Sequence, residues 1–392
     1  MKSWDKDVFG YLFDPVSAED FFSTYHEKKA LISKHGDPER YKKLLSIERI
    51  DELVSSINFQ PGSLDMTRAD PPIERSDYTF NSGAIDRGAV ARQFQQGATL
   101  ILPQLHEVDA TLADFCRAME SRLSCHVQTN IYLTPPDAQG FKTHYDDHDV
   151  FVLQVSGSKS WRLYDTPVEK PFRGEGFRSG EHNIGEPVQE FVLEAGDCAY
   201  VPRGLMHDAL THGDEASLHI TVGLIVKTWA DLMLEVISEV ALRHPEFRQS
   251  LPVGFARPDF EMEDVRPHFN TLVSTFAREA DLDEAFHIFV DNFIQSRLPS
   301  TTGTIANFKT PKDPSKRYRL KANTPWRLAE DGEEVVIITS GGEVRFPAKA
   351  EAGLHTLLDG GEISLETFAD LDAKDQEATI GRLFAFGLAE PV

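Results

Sequence analysis

The sequence predicts a mainly β protein with added helices, built around an antiparallel barrel or sandwich. Six short apolar segments separated by turn residues lie between about residues 128 and 226, without a helical pattern between them. Helical periodicity precedes this region and returns between 229 and 298. With 392 residues, 41% of them hydrophobic and 26% charged, the composition is that of a globular chain with one large domain and one or two smaller ones.

The first part of the chain, up to about residue 125, is expected to be a scaffold of helices and loops. Ser17 and Ser46 each begin a pattern typical of a helix N-terminus. Apolar residues recur at helical spacing over 112–123, which predicts an amphipathic helix there. The strands expected to follow cover residues 130–133, 151–155, 161–164, 191–193, 199–201 and 218–222.

The last third of the chain contains two different sequence patterns. Apolar stripes over 229–240 and 265–276 predict helices that pack on the barrel or on a second subunit. After a basic, proline-containing link, apolar runs flank Ser340-Gly-Gly, which predicts a hairpin. Two helical patterns follow at 351–358 and 375–386, and together these elements resemble a small winged-helix domain.

His144 and Asp146 are the first candidate metal ligands. They lie just before or at the start of a predicted strand, and residues i and i+2 of a strand point to the same face. Both side chains can therefore reach one metal ion, while Tyr145 faces away. A lone His-x-Asp pattern is common by chance, so a third ligand is needed.

His207 is the candidate for that third ligand. It follows the turn Pro202-Arg-Gly204 and opens a strand, in a Gly-x5-Pro-x-Gly-x2-His pattern similar to the second motif of cupins. Two histidines and one carboxylate leave one face of an octahedral ion open. Non-heme Fe(II) oxygenases need this arrangement to bind a co-substrate and O2.

Lys159 and Asn130 are the candidate ligands of a 2-oxoglutarate co-substrate. When 2-oxoglutarate chelates iron, its far carboxylate lies several ångströms away and needs a buried cation. Lys159 follows the turn Ser156-Gly-Ser158, from which its side chain can re-enter the barrel. Asn130, on the preceding strand, offers a neutral hydrogen bond to the same acid.

The stretch from Asn130 to Tyr164 reads NIYLTPPDAQGFKTHYDDHDVFVLQVSGSKSWRLY. It resembles the JmjC-type ribosomal oxygenases of the cupin-4 family, and the resemblance extends over nearly the whole chain. It implies a double-stranded β-helix (jelly-roll or cupin, JmjC-type) barrel, with a helical dimerisation region and a C-terminal winged-helix domain after it. The implied domains are 1–226, with the catalytic barrel and its N-terminal helical part, 227–300 for dimerisation and 305–392 for the winged helix.

The resemblance also implies functional roles. It places Fe(II) at His144, Asp146 and His207, 2-oxoglutarate at Lys159 and Asn130, and Tyr132 near the substrate. Family substrates are side chains of ribosomal proteins, arginine for bacterial members and histidine for human ones. One position departs from the bacterial pattern, because bacterial arginine-directed members carry arginine where this chain has Lys159 and human members have lysine.

Several residues have a less specific interpretation. Asp147, His148 and Asp149 could supply ligands if the register slipped by one residue, although the family motif favours His144 and Asp146. His219 lies in an alternating strand, where a barrel histidine with satisfied hydrogen bonds is the favoured interpretation. Beside glycine and serine, Lys159 could be a solvated turn lysine.

Charge and composition restrict the partners. The net charge of -23, from 63 acidic and 40 basic residues, opposes binding to nucleic acid and favours a basic peptide. Residues 301–392 carry 11 basic against 15 acidic residues, so we expect no DNA binding by the winged helix. Three cysteines without a CxxC pair, no signal-like start and no long apolar run predict a cytoplasmic protein without membrane contact.

The leading hypothesis is therefore an Fe(II)- and 2-oxoglutarate-dependent oxygenase, a dimer, that hydroxylates an arginine or histidine side chain of a ribosomal protein. A tailoring hydroxylase of the same chemistry acting on a small molecule or peptide is the second hypothesis. A non-catalytic, metal-binding cupin or interaction protein is the third. Conversion of 2-oxoglutarate to succinate by the iron-loaded protein separates the third from the other two.

Overall fold

The computed structural model describes residues 3–136, 138, 142–332 and 334–392, so part of the stretch just before His144 lies outside the described residues. The chain divides into two compact units, Met1–Val226 and Lys227–Val392, called here the N-terminal and C-terminal units. Among the described helices, none combines the length and apolar character needed to cross a lipid bilayer.

The N-terminal unit contains two antiparallel sheets. Its strands are β1 (Leu31–Ser33), β2 (Asp65–Thr67), β3 (Thr99–Leu102), β4 (His126–Thr134), β5 (Asp149–Ser156), β6 (Ser158–Leu163), β7 (Gln189–Glu194), β8 (Cys198–Val201), β9 (His207–His212) and β10 (Ser217–Ile225). The larger sheet has the order β1-β8-β5-β10-β4-β3-β2, and the smaller has the order β7-β6-β9. An apolar cluster with side chains from β5, β6, β7 and β8 fills the space between the sheets.

Side chains along the central strands of the larger sheet alternate between the hydrophobic core on one face and a cavity on the other. In β10, Leu218, Ile220 and Val222 belong to the main hydrophobic core, which they share with the N-terminal helices. The intervening His219 and Thr221 line a cavity between the two sheets. One face of the sheet is therefore anchored by the helices, and the other presents polar groups to the cavity.

The helices of this unit have well-defined starts. They are α1 (Val8–Phe13), α2 (Ala18–Asp20), α3 (Ile47–Ser56), α4 (Arg87–Gln95) and α5 (Ala110–Leu123), with a π-helical turn at Phe21–Tyr25. Ser46 caps α3 by accepting from Arg49 N, and Asp109 caps α5 by accepting from two backbone amides. The expectation of only helix and loop before residue 125 was wrong, because β1, β2 and β3 join the larger sheet there.

The C-terminal unit combines helices with two small sheets. Its elements are α6 (Trp229–Arg243), α7 (Arg266–Glu279), α8 (Leu282–Gln295), β11 (Tyr318–Leu320), β12 (Trp326–Asp331), β13 (Glu334–Thr339), β14 (Gly342–Pro347), α9 (Glu351–Leu358), α10 (Ala373–Ala385) and β15 (Ala389–Pro391). The predicted hairpin is present as β13 and β14, and β12 extends it to a three-stranded sheet. A separate core packs the hairpin against α9 and α10.

The apolar stripe of α6 differs from the predicted one. Leu232, Val236 and Val240 are its buried residues, whereas Trp229 is 78% and Met233 49% exposed. The predicted stripe over 229–240 comprised Trp229, Met233, Val236, Ile237 and Val240, so it shares Val236 and Val240 with the buried stripe. The remaining apolar side chains of α6 lie on the surface of this unit.

Candidate metal and co-substrate site

The structure brings His144, Asp146 and His207 together. One potential ligand atom from each residue lies within 4.8 Å of the others. His144 Nε2 is 3.9 Å from Asp146 Oδ1, and His207 Nε2 is 3.8 Å from Asp146 Oδ2. This spacing suits three donors arranged around a single ion without touching one another.

The imidazole hydrogen bonds indicate which nitrogen of each histidine faces the shared centre. His144 Nδ1 lies 2.8 Å from Lys142 O, and His207 Nδ1 lies 3.0 Å from Leu205 O. A backbone carbonyl accepts only, so each Nδ1 is the protonated donor and each Nε2 keeps its lone pair. Burial lowers the pKa of His207, and nearby His144 lowers it further, which also favours the neutral ring. The donor set thus fits a divalent transition metal.

Backbone pairing holds the ligand segments in register. His144 and His207 form an isolated antiparallel bridge, with N···O distances of 3.1 and 2.7 Å. Gly204 N donates to Asp146 O at 3.0 Å. This hydrogen bond fixes the backbone of Asp146, the third candidate ligand. Gly204 has φ +84°, and a Cβ there would lie 2.0 Å from Val168 O. Glycine is therefore required at this point of the turn before β9.

A buried ion pair anchors the end of the ligand segment next to β5. Asp149, fully buried, accepts from Arg203 N at 2.9 Å and from Arg203 Nη1 at 2.8 Å. Arg203 Nη2 also lies 2.6 Å from Glu27 Oε1, so the guanidinium bridges two carboxylates. Asp147 accepts from Gly174 N at 2.6 Å and lies 3.1 Å from His148 Nδ1. Asp147, His148 and Asp149, the alternative ligands in a slipped register, are thus engaged in other interactions.

A cavity of about 580 Å³, including its mouth, opens beside the three ligands. It lies between the two sheets and is lined by Thr99, Tyr132, Thr134, His144, Asp146, Val150, Val152, Lys159, Trp161, His207, Asp208, Ala209, His219 and Thr221. Metal-ligand candidates and the predicted co-substrate lysine therefore share one space.

Lys159 is a buried cavity residue and not a solvated turn lysine. Its side chain is fully enclosed, and Nζ donates to Thr134 Oγ1 at 3.1 Å. Thr134 Oγ1 in turn lies 3.1 Å from Thr99 Oγ1. Burial lowers the pKa of Lys159 from 10.5 to about 7, and no carboxylate among the described residues offsets this effect. A cation in such surroundings is suited to an incoming acid.

Further polar atoms around the cavity lack partners. Among the described residues, Trp161 Nε1, Thr211 Oγ1 and His219 Nδ1 are buried without a hydrogen-bond partner. The interpretation of His219 as a satisfied barrel histidine was therefore wrong. Its ring stacks on Tyr132 with centroids 4.9 Å apart, and burial lowers its pKa well below the ordinary value. Buried unsatisfied polar atoms are uncommon and indicate a missing partner.

The two remaining sequence candidates occupy different positions. Tyr132 lines the cavity, and burial raises the pKa of its hydroxyl. Asn130 lies on the same strand, but its Oδ1 accepts from Gln104 N at 3.1 Å, and it is not among the cavity-lining residues. Sequence reasoning missed Thr134, because its relevance depends on the approach of Lys159 from β6. Trp161 also lines the cavity.

Comparisons with known proteins identify sequences similar to this chain. Residues 102–232 match the JmjC domain. The bifunctional lysine-specific demethylase and histidyl-hydroxylase NO66 of Drosophila grimshawi is 35% identical over 256 residues, 63% of this chain and 35% of that protein. Ribosomal oxygenase 1 of Danio rerio is 30% identical over 317 residues, 74% of this chain and 56% of that protein. The chain spans about a third to just over half of these relatives.

Solved structures show the same fold. Escherichia coli YcfD has a TM-score of 0.56 at 15% identity, with 96% of this chain and 98% of that chain covered. A structure of the ribosomal oxygenase YcfD in complex with cobalt and 2-oxoglutarate has a TM-score of 0.55 at 15% identity, with coverages of 97% and 99%. The chain therefore has a JmjC-type, cupin-like fold of mixed α and β structure, with a JmjC domain over residues 102–232, and it is similar in sequence to NO66 and to ribosomal oxygenase 1.

Proposed function

We propose that this protein is an Fe(II)- and 2-oxoglutarate-dependent oxygenase that hydroxylates a side chain of a ribosomal protein. The observation that carries the proposal is the shared cavity, in which a His-Asp-His ligand set lies with a buried lysine that has no carboxylate partner in the part of the chain that the structure describes. The YcfD structures with cobalt and 2-oxoglutarate or succinic acid support it, because their fold is the same.

His144, Asp146 and His207 are the proposed iron ligands. Iron bound there with 2-oxoglutarate would supply the oxidation of the substrate by O2, with succinate and CO2 as the other products. Because the Nδ1 atoms of both histidines are engaged by backbone carbonyls, the rings are held with Nε2 toward the centre.

Lys159 is the proposed ligand of the far carboxylate of 2-oxoglutarate. Burial disfavours the cationic form of Lys159. A carboxylate beside Nζ would stabilise that form and would therefore raise the lysine pKa again. Thr134 Oγ1 holds Nζ, and Trp161 Nε1 and Thr211 Oγ1 are buried donors without partners in the described chain. Asn130, whose Oδ1 accepts from Gln104 N, stays a predicted further contact. Tyr132 stays a predicted neighbour of the substrate.

The proposed target side chain is histidine, with arginine as the alternative. Relatives that are 31–35% identical carry the name histidyl-hydroxylase. Lys159 at the co-substrate position also matches the human pattern described above, not the bacterial arginine-directed one. The net charge of -23 suits a basic ribosomal protein as partner.

The decisive experiment measures succinate formation from 2-oxoglutarate by the iron-loaded protein, followed by mass spectrometry of ribosomal proteins. We expect succinate from the wild type, a loss of at least about 100-fold in His144→Ala, and an oxygen adduct on one histidine in cells that have the gene. His355→Ala, an exposed histidine in the C-terminal unit, is the matched control and should keep full activity. Succinate without a ribosomal adduct would favour the small-molecule hydroxylase, and no succinate would favour the non-catalytic binder.

We further propose a homodimer through the helical region 227–300. Large exposed apolar side chains on α6 and α7 support it, including Trp229 at 78%, Leu234 at 65% and Phe269 at 63% exposed. Leu234→Glu should give a monomeric mass in solution at micromolar concentration, where the wild type gives twice that mass. A monomeric wild type would contradict the proposal.

The winged-helix assignment of residues 305–392 and the cytoplasmic location remain proposals of the same kind. The three-stranded sheet β12-β13-β14 with α9 and α10 supports a winged helix. Its excess of acidic residues supports a role without DNA contact.

A further inference from the structure

A buried carboxylate joins the residues that flank two of the proposed metal ligands. Asp208 directly follows His207, and its side chain is 2% exposed. Its Oδ2 accepts from Thr143 Oγ1 at 2.6 Å, and Thr143 directly precedes His144. Asp208 is also one of the cavity-lining residues, but both of its carboxylate oxygens accept hydrogen bonds from protein donors.

Two further donors fix the Asp208 carboxylate to β6 and the residue after it. Arg162 Nε donates to Oδ1 at 2.8 Å, and Tyr164 OH donates to Oδ2 at 2.7 Å. Arg162 and Asp208 are also cross-strand partners in the β6–β9 ladder. Asp208 is therefore held by a regular sheet, and its bond to Thr143 transfers that rigidity to the ligand segment.

The ligand segment needs such support, because it does not belong to a regular ladder. His144 pairs with His207 through an isolated bridge, and Asp146 is held through one backbone bond from Gly204. Metal sites tolerate displacements of only about 0.5 Å before affinity falls. The charge-assisted hydrogen bond of Thr143, the residue directly before His144, can hold the segment within this tolerance.

We propose that Asp208 is a positioning residue which holds the segment of His144 and Asp146 against the strand of His207 and thereby sets the affinity for the divalent metal. This inference rests on the metal site of the proposed function. It assigns to Asp208 no contact with metal or substrate. Its effect passes through Thr143 and the backbone of the neighbouring ligand.

Asp197 provides a matched control for a purely structural role. It is also buried and accepts three hydrogen bonds, from Lys34 Nζ at 2.6 Å, His35 N at 3.2 Å and Glu194 N at 2.9 Å. It lies in the turn between β7 and β8, separate from the ligand segment. Asp197→Asn should therefore lower stability, as Asp208→Asn should, without a specific effect on the metal.

The test is a titration of the metal-free full-length protein with Co(II), followed by the visible absorption of the bound ion. Relative to the wild type, we expect Asp208→Asn to bind Co(II) 10- to 100-fold more weakly. Asp197→Asn should stay within about twofold. Thr143→Val, which removes only the hydroxyl, should lose about tenfold. In the double variant Asp208→Asn with Thr143→Val, the loss should not exceed that of Asp208→Asn by more than about twofold, because both changes remove one interaction.

The outcomes separate this inference from the proposed function. If the wild type binds no Co(II), both are overturned. If the wild type binds and Asp208→Asn and Thr143→Val bind within twofold of it, the positioning role alone is overturned. Equal losses in Asp208→Asn and Asp197→Asn would also overturn it, because they would show a general effect of stability. Should Asp208→Asn fail to fold, the comparison of Thr143→Val with the wild type decides.

Discussion

Lys159 gives the sharpest quantitative test, because the structure predicts opposite effects of one substitution on stability and on co-substrate binding. Burial lowers the pKa of Lys159 from 10.5 to about 7. At about 1.4 kcal/mol per pH unit, the cationic form is destabilised in the folded chain by about 5 kcal/mol. Lys159→Met removes the charge, and Thr134 keeps Thr99 as a hydrogen-bond partner.

The metal-free and co-substrate-free Lys159→Met variant should therefore be more stable than the wild type. Because the lysine pKa is lower in the folded state, the unfolded state binds more protons between pH 7 and 10.5, and wild-type stability rises with pH through this window. The advantage of the variant is then largest at and below pH 7, at about 2–4 kcal/mol after relaxation of the site, and it disappears above pH 10.5. Urea unfolding at several pH values measures it.

The same variant should bind 2-oxoglutarate about 100- to 1000-fold more weakly, because the far carboxylate would be buried without a counter-charge. In the wild type, binding should take up a proton, and affinity should fall about tenfold per pH unit above pH 7. Lys159→Arg is the control, since arginine stays charged and should bind without this pH dependence. Calorimetry of the cobalt-loaded protein in buffers of different ionisation enthalpy measures both effects. A variant neither stabilised nor impaired in binding would refute the reasoning.

Two further predictions concern the turn before β9. Arg203→Met should lower the free energy of unfolding by about 3–5 kcal/mol, because it leaves the buried Asp149 carboxylate without its charged partner. Arg178→Met, which removes an exposed ion pair, should change the free energy of unfolding by less than about 0.5 kcal/mol in the same urea titration. Gly204→Ala should cost at least about 2 kcal/mol more than Gly83→Ala, since both have positive φ but only Gly204 has a backbone atom within 4 Å of the added Cβ. Equal costs in either pair would contradict the structural argument.

Local signals in the sequence explain which elements were predictable. The cap at Ser46 lies three residues from the amide it binds, and the apolar periodicity over 112–123 is equally local, so a short window contains the whole signal for α3 and α5. The hairpin of β13 and β14 is equally local. In contrast, β1 has three residues and pairs Leu31 with Tyr200, so its partner lies far outside any window.

The same distinction applies to the site. His144, Asp146 and His207 were identifiable because ligand residue types occur at a spacing with a known geometric meaning. The surroundings of Lys159 were not, since Thr134 and His219 reach the cavity through the pairing of distant strands. A lysine beside Gly and Ser looks solvated in sequence. Only the folded arrangement shows the loss of solvent that changes its chemistry.

Three unsatisfied polar groups on the strands around the cavity suit it to an acid. Trp161, Thr211 and His219 each leave a buried polar atom without a partner in the described structure, and all three lie on strands that carry cavity-lining residues. A buried unpartnered donor costs about 1–3 kcal/mol, and Lys159 adds a larger cost nearby. A protein can retain groups that lower its stability when a ligand satisfies them on binding, because function then depends on these groups. A dicarboxylic acid would satisfy the cation and accept from neighbouring donors at once. The elements that make the N-terminal unit less stable without ligand are thus those that would make binding of 2-oxoglutarate favourable.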